Sequence, residues 1–351
     1  MRTLTMIRVV AILVAVAVLA ALACGGGRPA EPAAAAAPQS GSATGDSGQA
    51  APAAAAVPAP NVTDLMPAFW SFWEQAEKKA PAEQVRLLKE VAIAPHQVFY
   101  EKVVGIPSDQ RLEEILKTLT PSIPALRRID GEYKEQLPQG FASFMAAFPD
   151  MDRGLPIYAG PSLFTSSGQS RDLDGRTIVF YGEDVVAVVL SDVTNHLPDI
   201  HHEMFHAYHW QRNPEIAAAG KQAFEKTRTT PMYYDLWSEG LALHAVRQLD
   251  PEAPLSLVLS SKTLPDEGPK VLKRVAGELR RRLDVTNLDE VGDYFFFTPK
   301  RKDLPSRIAY YVGLRLVEEV GKGRSMEDLV RLGGKDLRAA IDAGLANLEK
   351  P

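Results

Sequence analysis

The chain of 351 residues has almost no capacity for disulfide bonding, because Cys24 is its only cysteine. Its fold must therefore depend on the burial of apolar side chains rather than on cross-links. Long blocks of basic residues are also missing, and the main runs are RRR at 280–282 and KRK at 300–302. Together with a formal net charge of −5, this gives no indication of nucleic-acid binding.

The apolar run at 9–23 has fifteen residues, which is short for a membrane span of about 20. Placed after Arg2 and Arg8, it is typical of a secretion signal. The run ends in ALAC, which resembles the lipobox of bacterial lipoproteins, although Ala21 stands where that motif most often has Leu. The resemblance implies a signal peptide over residues 1–23 and a lipid on Cys24. An ordinary signal peptide with an incidental cysteine is the alternative.

By the same resemblance, the protein would be anchored in a bacterial cell envelope, with its folded part periplasmic or exposed at the surface. Gly25 rather than Asp follows the cysteine, which favours the outer membrane. Residues 24–60 are rich in Ala, Pro, Gly and Ser and have almost no large apolar side chains. They predict a disordered tether with a root-mean-square span of roughly 30 Å.

Residues 61–150 predict a helical segment. In DLMPAFWSFWEQAEKKA the apolar residues recur at helical spacing, as they do in SDQRLEEILKTL and in IPALRRIDGEYKEQL. We expect this segment to pack on the domain that follows it.

From Leu155 the pattern changes to that of strands. LPIYAG and RTIVFYGEDVVAVVL are rich in β-branched and aromatic residues, and SSGQSRDLDG between them is typical of a turn. The DLDG at 172–175 lacks the rest of a twelve-residue calcium loop, so we interpret it as a hairpin turn. Strand signals end near Ser191 and the remaining residues have helical patterns. The sequence therefore indicates an α+β fold.

The segment HHEMFH at 201–206 carries the strongest chemical signal. Residues four apart on a helix project from one face, so His202 and His206 can bind one zinc ion. Glu203 lies about 100° around the helix, where a carboxylate can take a proton from the attacking water. The charge of Asp199 suits the N-terminal end of such a helix. The alternative is the polar face of a surface helix.

A catalytic zinc ion usually has three protein ligands and one open position. A metzincin continuation is excluded, because His209 and Arg212 stand where glycine and histidine would follow His206. The other option is a glutamate on a second helix. Glu239 in DLWSEGLALHAV, 33 residues after His206, is the candidate. Gly240 beside it would let two helices approach closely, as a shared metal requires.

This pattern resembles the gluzincins, the zinc peptidases with H-E-x-x-H and a downstream glutamate. It is more similar still to a group of predicted bacterial zinc-dependent proteases with HE.FH and SEGLA segments. The resemblance covers roughly 155–348 and implies a zincin-like catalytic domain over 151–351, with a small mixed sheet above the metal-bearing helix. It implies one Zn²⁺ per chain on His202, His206 and Glu239, with Glu203 as the general base.

The resemblance extends to AYYVG, since some gluzincins carry a Tyr-x-x-Gly whose phenol hydrogen-bonds the developing oxyanion. Tyr310 has that spacing to Gly313, and Tyr311 is the reserve candidate. The alternative is that both are packing residues. His209, three residues after His206, could contact substrate or a transition-state oxygen. A simple solvated histidine is the alternative.

Two features of related peptidases are missing. The Asp that often stands four residues after the ligand glutamate is here Leu243, so Asp199 and Asp235 become the candidates for orienting the histidines. There is also no G-x-M-E-N segment, which favours an endopeptidase over an aminopeptidase. We expect a peptide to add to an edge strand lying within 176–189.

The sequence thus predicts a zinc peptidase that acts on peptide or protein substrates and is tethered to a membrane through Cys24. The alternative is a lipoprotein that keeps a protease fold as a catalytically idle binding or scaffolding module. The presence of both histidines, the base and a third ligand argues against that alternative.

Overall fold

The computed structural model describes residues 59–350 except 224 and 226. The predicted signal peptide, the lipid site at Cys24 and the tether up to residue 58 lie outside the described residues. Among the residues that are described, no helix combines the length and the apolar character needed to cross a membrane.

The part before the sheet is helical from Met66 onward, as predicted, with apolar residues such as Phe69 and Phe72 fully buried. Its helices are α1 Met66–Ala76, α2 Pro81–Leu87, α3 Gln97–Phe99, α4 Asp109–Leu119 and α5 Ile123–Ala147. Two π-helical stretches, Leu88–Ile93 and Tyr100–Val104, and two 3₁₀ turns, Ala94–His96 and Thr120–Ser122, connect them.

Four strands form one small mixed sheet in the order β1-β2-β4-β3. The strands are β1 Asn61–Asp64, β2 Pro156–Gly160, β3 Gly168–Leu173 and β4 Arg176–Gly182. β1, β2 and β4 run parallel, and β3 is antiparallel to β4. The α+β class and the mixed sheet are as predicted, whereas the helical prediction from residue 61 was wrong for its first four residues, which form the outer strand β1.

The hairpin predicted at DLDG is confirmed. Leu173 pairs with Arg176, and the two residues between them, Asp174 and Gly175, have φ angles of 54° and 83°. Positive φ at both central residues defines the tight turn whose twist matches that of paired strands. The residues before this turn, however, were predicted as a loop and form strand β3.

The strand predicted through residue 190 ends at Gly182, and Glu183–Val189 form helix α6. The Asp184 carboxylate explains the change, because it accepts the backbone N–H groups of Ser162 (2.7 Å) and Phe164 (2.9 Å). Tertiary contacts thus override the strand preference of the valines. Since β4 is an inner strand, the edge strand predicted within 176–189 is also wrong; β3 is the edge on that side.

Both faces of the sheet are covered. Alternate residues of a strand point to opposite faces, and β4 places Phe180 against Phe99 (centroids 4.9 Å apart) on one side. On the other side, the Tyr181 hydroxyl donates to the carbonyl of Ile200 at 2.9 Å. The helix that carries HHEMFH is therefore fixed directly to the sheet.

The rest of the described chain is helical. The helices are α7 Leu197–Arg212, α8 Pro214–Gln222, α9 Met232–Leu249, α10 Leu255–Val258, α11 Leu264–Arg280, α12 Leu288–Phe295, α13 Ile308–Val320, α14 Met326–Val330 and α15 Gly334–Leu348.

Candidate metal centre

Helix α7 carries the HHEMFH segment in its middle. Pro198 lies in the first turn, where its missing N–H costs nothing, and Asp199 places a negative charge at the same end. Met204 and Phe205 are completely buried. The helix is thus held by its apolar residues, while His202 and His206 share the face that looks toward α9.

His202, His206 and Glu239 form the one group among the described residues whose spacing could hold a metal ion; we call it the ligand cluster. The Nε2 atoms of His202 and His206 are 3.0 Å apart. Oε2 of Glu239 lies 3.2 Å from Nε2 of His202 and 3.5 Å from Nε2 of His206. The chain therefore brings together an H-E-x-x-H pair and a downstream glutamate.

The triangle formed by these three atoms fits a zinc ion. Ligand atoms at about 2.0–2.1 Å from a tetrahedral zinc lie roughly 3.3–3.4 Å from one another, close to the observed 3.0, 3.2 and 3.5 Å. The side chains of His202, His206 and Glu239 are 13 %, 11 % and 18 % exposed. The cluster is thus sheltered yet open to a small molecule.

The pKa values of two members of the cluster, His202 and Glu239, are shifted by their surroundings. Burial, partly opposed by Glu239, lowers the pKa of His202. For Glu239, burial acts to raise the pKa, but the contacts with His206 and His202 outweigh it and hold the value well below the ordinary range. A neutral imidazole and an ionised carboxylate are the forms that ligate a metal ion.

Glu203 lies between α7 and the edge strand β3. Its side chain is buried, and Oε2 has no hydrogen-bond partner among the described residues. Burial, with further contributions from Asp199 and Glu239, raises its pKa well above the usual value. A Cβ on Gly168 would stand 2.6 Å from Cγ of Glu203, and the Ser170 hydroxyl donates to the Glu203 carbonyl at 3.2 Å.

Tyr310 and Tyr311 lie on different faces of α13. Burial raises the pKa of Tyr310, with a further contribution from the negative charge of Glu239. One turn further along α13, Gly313 contacts Gly240, the neighbour of Glu239. Tyr311 packs on α11, where its ring would be 2.6 Å from a Cβ on Gly268. Of the two tyrosines, Tyr310 is the one with the electrostatic relation to the cluster.

A contact between two glycines brings α13 to this position. A Cβ on Gly240 would be 2.3 Å from the carbonyl oxygen of Gly313, and a Cβ on Gly313 would be 2.8 Å from that of Leu236. The close approach predicted for Gly240 exists, but its partner is α13 rather than the histidine-bearing α7. The contact made by Gly240, beside Glu239, therefore helps to fix where Tyr310 lies.

His209 is completely buried, and its ring centroid is 6.0 Å from that of Phe205. Neither ring nitrogen makes a well-formed hydrogen bond among the described residues, and the backbone of Val330 is the one weak partner. Burial, assisted by His206 and opposed only by the backbone of Val330, lowers its pKa to about 3. A contact with substrate remains a prediction, and it would require neighbouring residues to move.

The two candidates for orienting the histidines differ in their partners. Asp199 is buried and accepts a hydrogen bond from the Tyr133 hydroxyl at 2.7 Å. It also interacts electrostatically with His202. Asp235 instead binds Arg228, whose Nη2 lies 2.5 Å from Oδ2. Asp199 is thus the one of the two with an electrostatic relation to a ligand histidine.

Two further groups near the cluster escaped the sequence patterns. Each ring nitrogen of His201 forms a hydrogen bond, one with Asp250 (2.6 Å) and one with Ser143 (2.8 Å). These bonds connect α7 with the C-terminal end of α9 and with α5. Arg307, at the start of α13, acts on the charges of Glu203 and Asp199. Arg307 precedes the helix in a left-handed conformation, so helical spacing to Tyr310 could not have identified it.

Comparison of the chain with protein-family models, with curated proteins and with solved structures gave no match.

Proposed function

We propose that the chain is a zinc-dependent peptidase that hydrolyses peptide bonds, with endopeptidase action favoured. The observation that carries the proposal is the triangle of His202, His206 and Glu239 with dimensions suited to tetrahedral zinc. The adjacent Glu203, with an oxygen that has no partner among the described residues, adds a proton acceptor. Binding of zinc and catalysis are both parts of this proposal.

When bound, zinc polarises a carbonyl and lowers the pKa of a water molecule. In the proposed reaction Glu203 accepts the proton of the attacking water and delivers it to the leaving amine. The Tyr310 hydroxyl donates a hydrogen bond to the developing oxyanion, a contribution worth about 3–4 kcal/mol in comparable sites. Burial of both groups excludes bulk water and strengthens these interactions.

The edge strand β3 is the proposed docking position for the substrate backbone. β3 pairs with β4 on one side and ends the sheet on the other, and it lies against Glu203 through Gly168. An extended peptide that adds to this edge would gain main-chain hydrogen bonds and would pass the ligand cluster. The missing G-x-M-E-N segment supports cleavage within a chain rather than removal of the first residue.

We further propose that the protein acts in a bacterial cell envelope, held through a lipid on Cys24. The support is the ALAC segment after a short apolar run, and Gly25 favours the outer membrane. Labelling with a radioactive fatty acid in a bacterial host, compared between the chain and Cys24→Ala, tests this part separately.

The zinc content of Val57–Pro351, which forms one compact unit, tests the metal site. We expect about one zinc per chain by elemental analysis, lost or much weakened in Glu239→Ala and retained in Glu203→Gln. Absence of zinc after purification with ample metal would exclude the peptidase. Zinc in a protein that does not cleave unfolded casein would favour the idle binding or scaffolding module instead.

A further inference from the structure

Arg307 immediately precedes helix α13 and has an unusual backbone conformation. Its φ and ψ are 57° and 30°, in the left-handed region that residues other than glycine seldom occupy. Residues held in such regions are strained and are concentrated at functional sites.

The guanidinium of Arg307 is held between two aromatic rings. Its Cζ lies 3.9 Å from the ring centroid of Tyr310 and 4.7 Å from that of Phe297. Its Nη1 donates to the carbonyls of Leu259 (3.2 Å) and Ser260 (3.4 Å). Both of these bonds use Nη1, and the guanidinium also interacts with the Tyr310 hydroxyl. Because a guanidinium carries five N–H donors, donors remain for a ligand.

Arg307 has no close counter-ion in the described part of the chain. Two other arginines in this part of the chain offer a contrast: Arg301 pairs with Glu278 at 2.7 Å, and Arg315 pairs with Glu318 at 2.6 Å. The charge of Arg307 interacts with the carboxyl groups of Glu203 and Asp199, but neither group forms an ion pair with it. A half-buried cation stacked on Tyr310 is thus available to an anionic group.

We propose that Arg307 binds a carboxylate of the peptide substrate and so selects where the enzyme cleaves. The inference rests on the proposed peptidase function and names its substrate class. The carboxylate can be the C-terminal group of a short peptide or the side chain of an Asp or Glu. Because Arg307 stacks on Tyr310, and each residue spans at most about 3.6 Å, that carboxylate lies within roughly two residues of the scissile bond.

Peptide binding without turnover tests the inference. The protein is the full chain with Glu203→Gln, incubated with zinc, and the readout is the dissociation constant by calorimetry. Three probes are compared: acetyl-Ala-Ala-Phe-Ala as the free acid, the same peptide as its amide, and acetyl-Ala-Ala-Phe-Asp amide. We expect one carboxylate probe to bind roughly 10- to 100-fold more tightly than the neutral amide, and the probe that does so identifies the source.

Three substitutions, each added to that protein, make the result specific. Arg307→Gln should remove the preference, and Arg307→Lys should keep part of it because the charge remains. Arg315→Gln removes one cation from the same helix, where it lies over Tyr311, and should leave the preference intact. Thermal unfolding of each variant verifies that it is folded.

Equal affinity for all three probes, no detectable binding by any, or a preference that survives Arg307→Gln would overturn the inference. These outcomes leave the proposed reaction untouched, because zinc content and casein cleavage by the chain with Glu203 intact decide that separately. Conversely, a carboxylate preference without casein cleavage would support carboxylate binding by Arg307 and contradict the proposed peptidase function.

Discussion

Gly168 of the edge strand lies directly against the side chain of Glu203. A Cβ built on Gly168 would be 2.6 Å from Cγ and 2.8 Å from Oε1 of that carboxylate, distances that real Cβ atoms do not show. The absence of a side chain at this position therefore lets the proposed base lie between strand and helix.

Gly168→Ala should displace Glu203 while leaving the ligand cluster in place. A shift of about 1 Å in a catalytic group can cost about 100-fold in rate, so we expect casein cleavage to fall by about that factor with one zinc per chain retained. Gly131→Ala is the control, since a Cβ there meets nothing within 4 Å, and its activity should equal that of the parent chain. Full activity in Gly168→Ala would show that the position of Glu203 does not depend on this contact.

Zinc should stabilise the folded chain. A ligand at 100 times its dissociation constant adds about 2.7 kcal/mol to the free energy of unfolding. We expect urea unfolding of Val57–Pro351 to show an increase of this size with zinc and its loss with a chelator. Glu203→Gln should keep the increase, and Glu239→Ala should lose most of it. An equal increase in Glu239→Ala would mean that the metal binds elsewhere.

Tyr310→Phe should slow cleavage without loss of zinc. Removal of one oxyanion donor costs about 10²–10³ in kcat, so we expect a fall of that size with KM little changed. Tyr311→Phe is the matched control, because the ring of Tyr311 packs against Gly268. This variant should cleave casein normally. Slow cleavage by Tyr311→Phe together with normal cleavage by Tyr310→Phe would show that Tyr311 is the oxyanion donor.

Gly240→Ala should separate α9 from α13. Its Cβ would be 2.3 Å from a backbone oxygen that cannot rotate away, and overpacking of this kind costs typically 1–3 kcal/mol. We expect lower stability in urea together with reduced cleavage, because Tyr310 moves relative to Glu239. Gly277→Ala, whose Cβ meets only flexible side-chain ends at 3.3 Å or more, should show neither effect.

His209 should make the metal-free chain sensitive to acid. Its pKa is about 3 when folded and 6.5 in the unfolded reference, so between these values the unfolded state binds one more proton. Stability therefore falls as the pH drops below 6.5, by about 1.4 kcal/mol per unit. Between pH 6.5 and 5, the free energy of unfolding of His209→Leu should fall by about 2 kcal/mol less than that of the parent chain.

The same variant addresses the role of His209 in catalysis. Since neither ring nitrogen makes a well-formed hydrogen bond among the described residues, an apolar replacement should fold well at pH 7. An identical pH dependence in both proteins would contradict the neutral buried ring. Loss of casein cleavage with zinc retained would support the predicted contact with substrate.

The sequence was most informative where chemistry and helical period coincide. The spacing of His202 and His206 fixes their common face, and the fold class follows from the change in pattern at Leu155. Glu239 required one further step, a glutamate in an amphipathic helix at a suitable distance. These features depend on local geometry, which a single sequence contains.

The sequence was least informative about contacts between distant segments. Nothing local marks Gly168 as the residue that admits Glu203, or Gly313 as the partner of Gly240. The valines after Gly182 favour a strand by propensity, yet the hydrogen bonds accepted by Asp184 make them a helix. Arg307 likewise lies between Phe297 and Tyr310 only in the folded chain, so its position cannot be predicted from the sequence alone.

The order in which this site can form during folding follows from the close approach of Gly240 and Gly313. The ligand cluster joins residues 202 to 239, whereas the Gly240 contact closes a loop of more than seventy residues. Loop closure becomes slower and more costly in entropy as the loop lengthens. The cluster can therefore assemble before Tyr310 and Arg307 reach it, so that under the proposed function a newly folding chain would gain its metal site before its oxyanion donor.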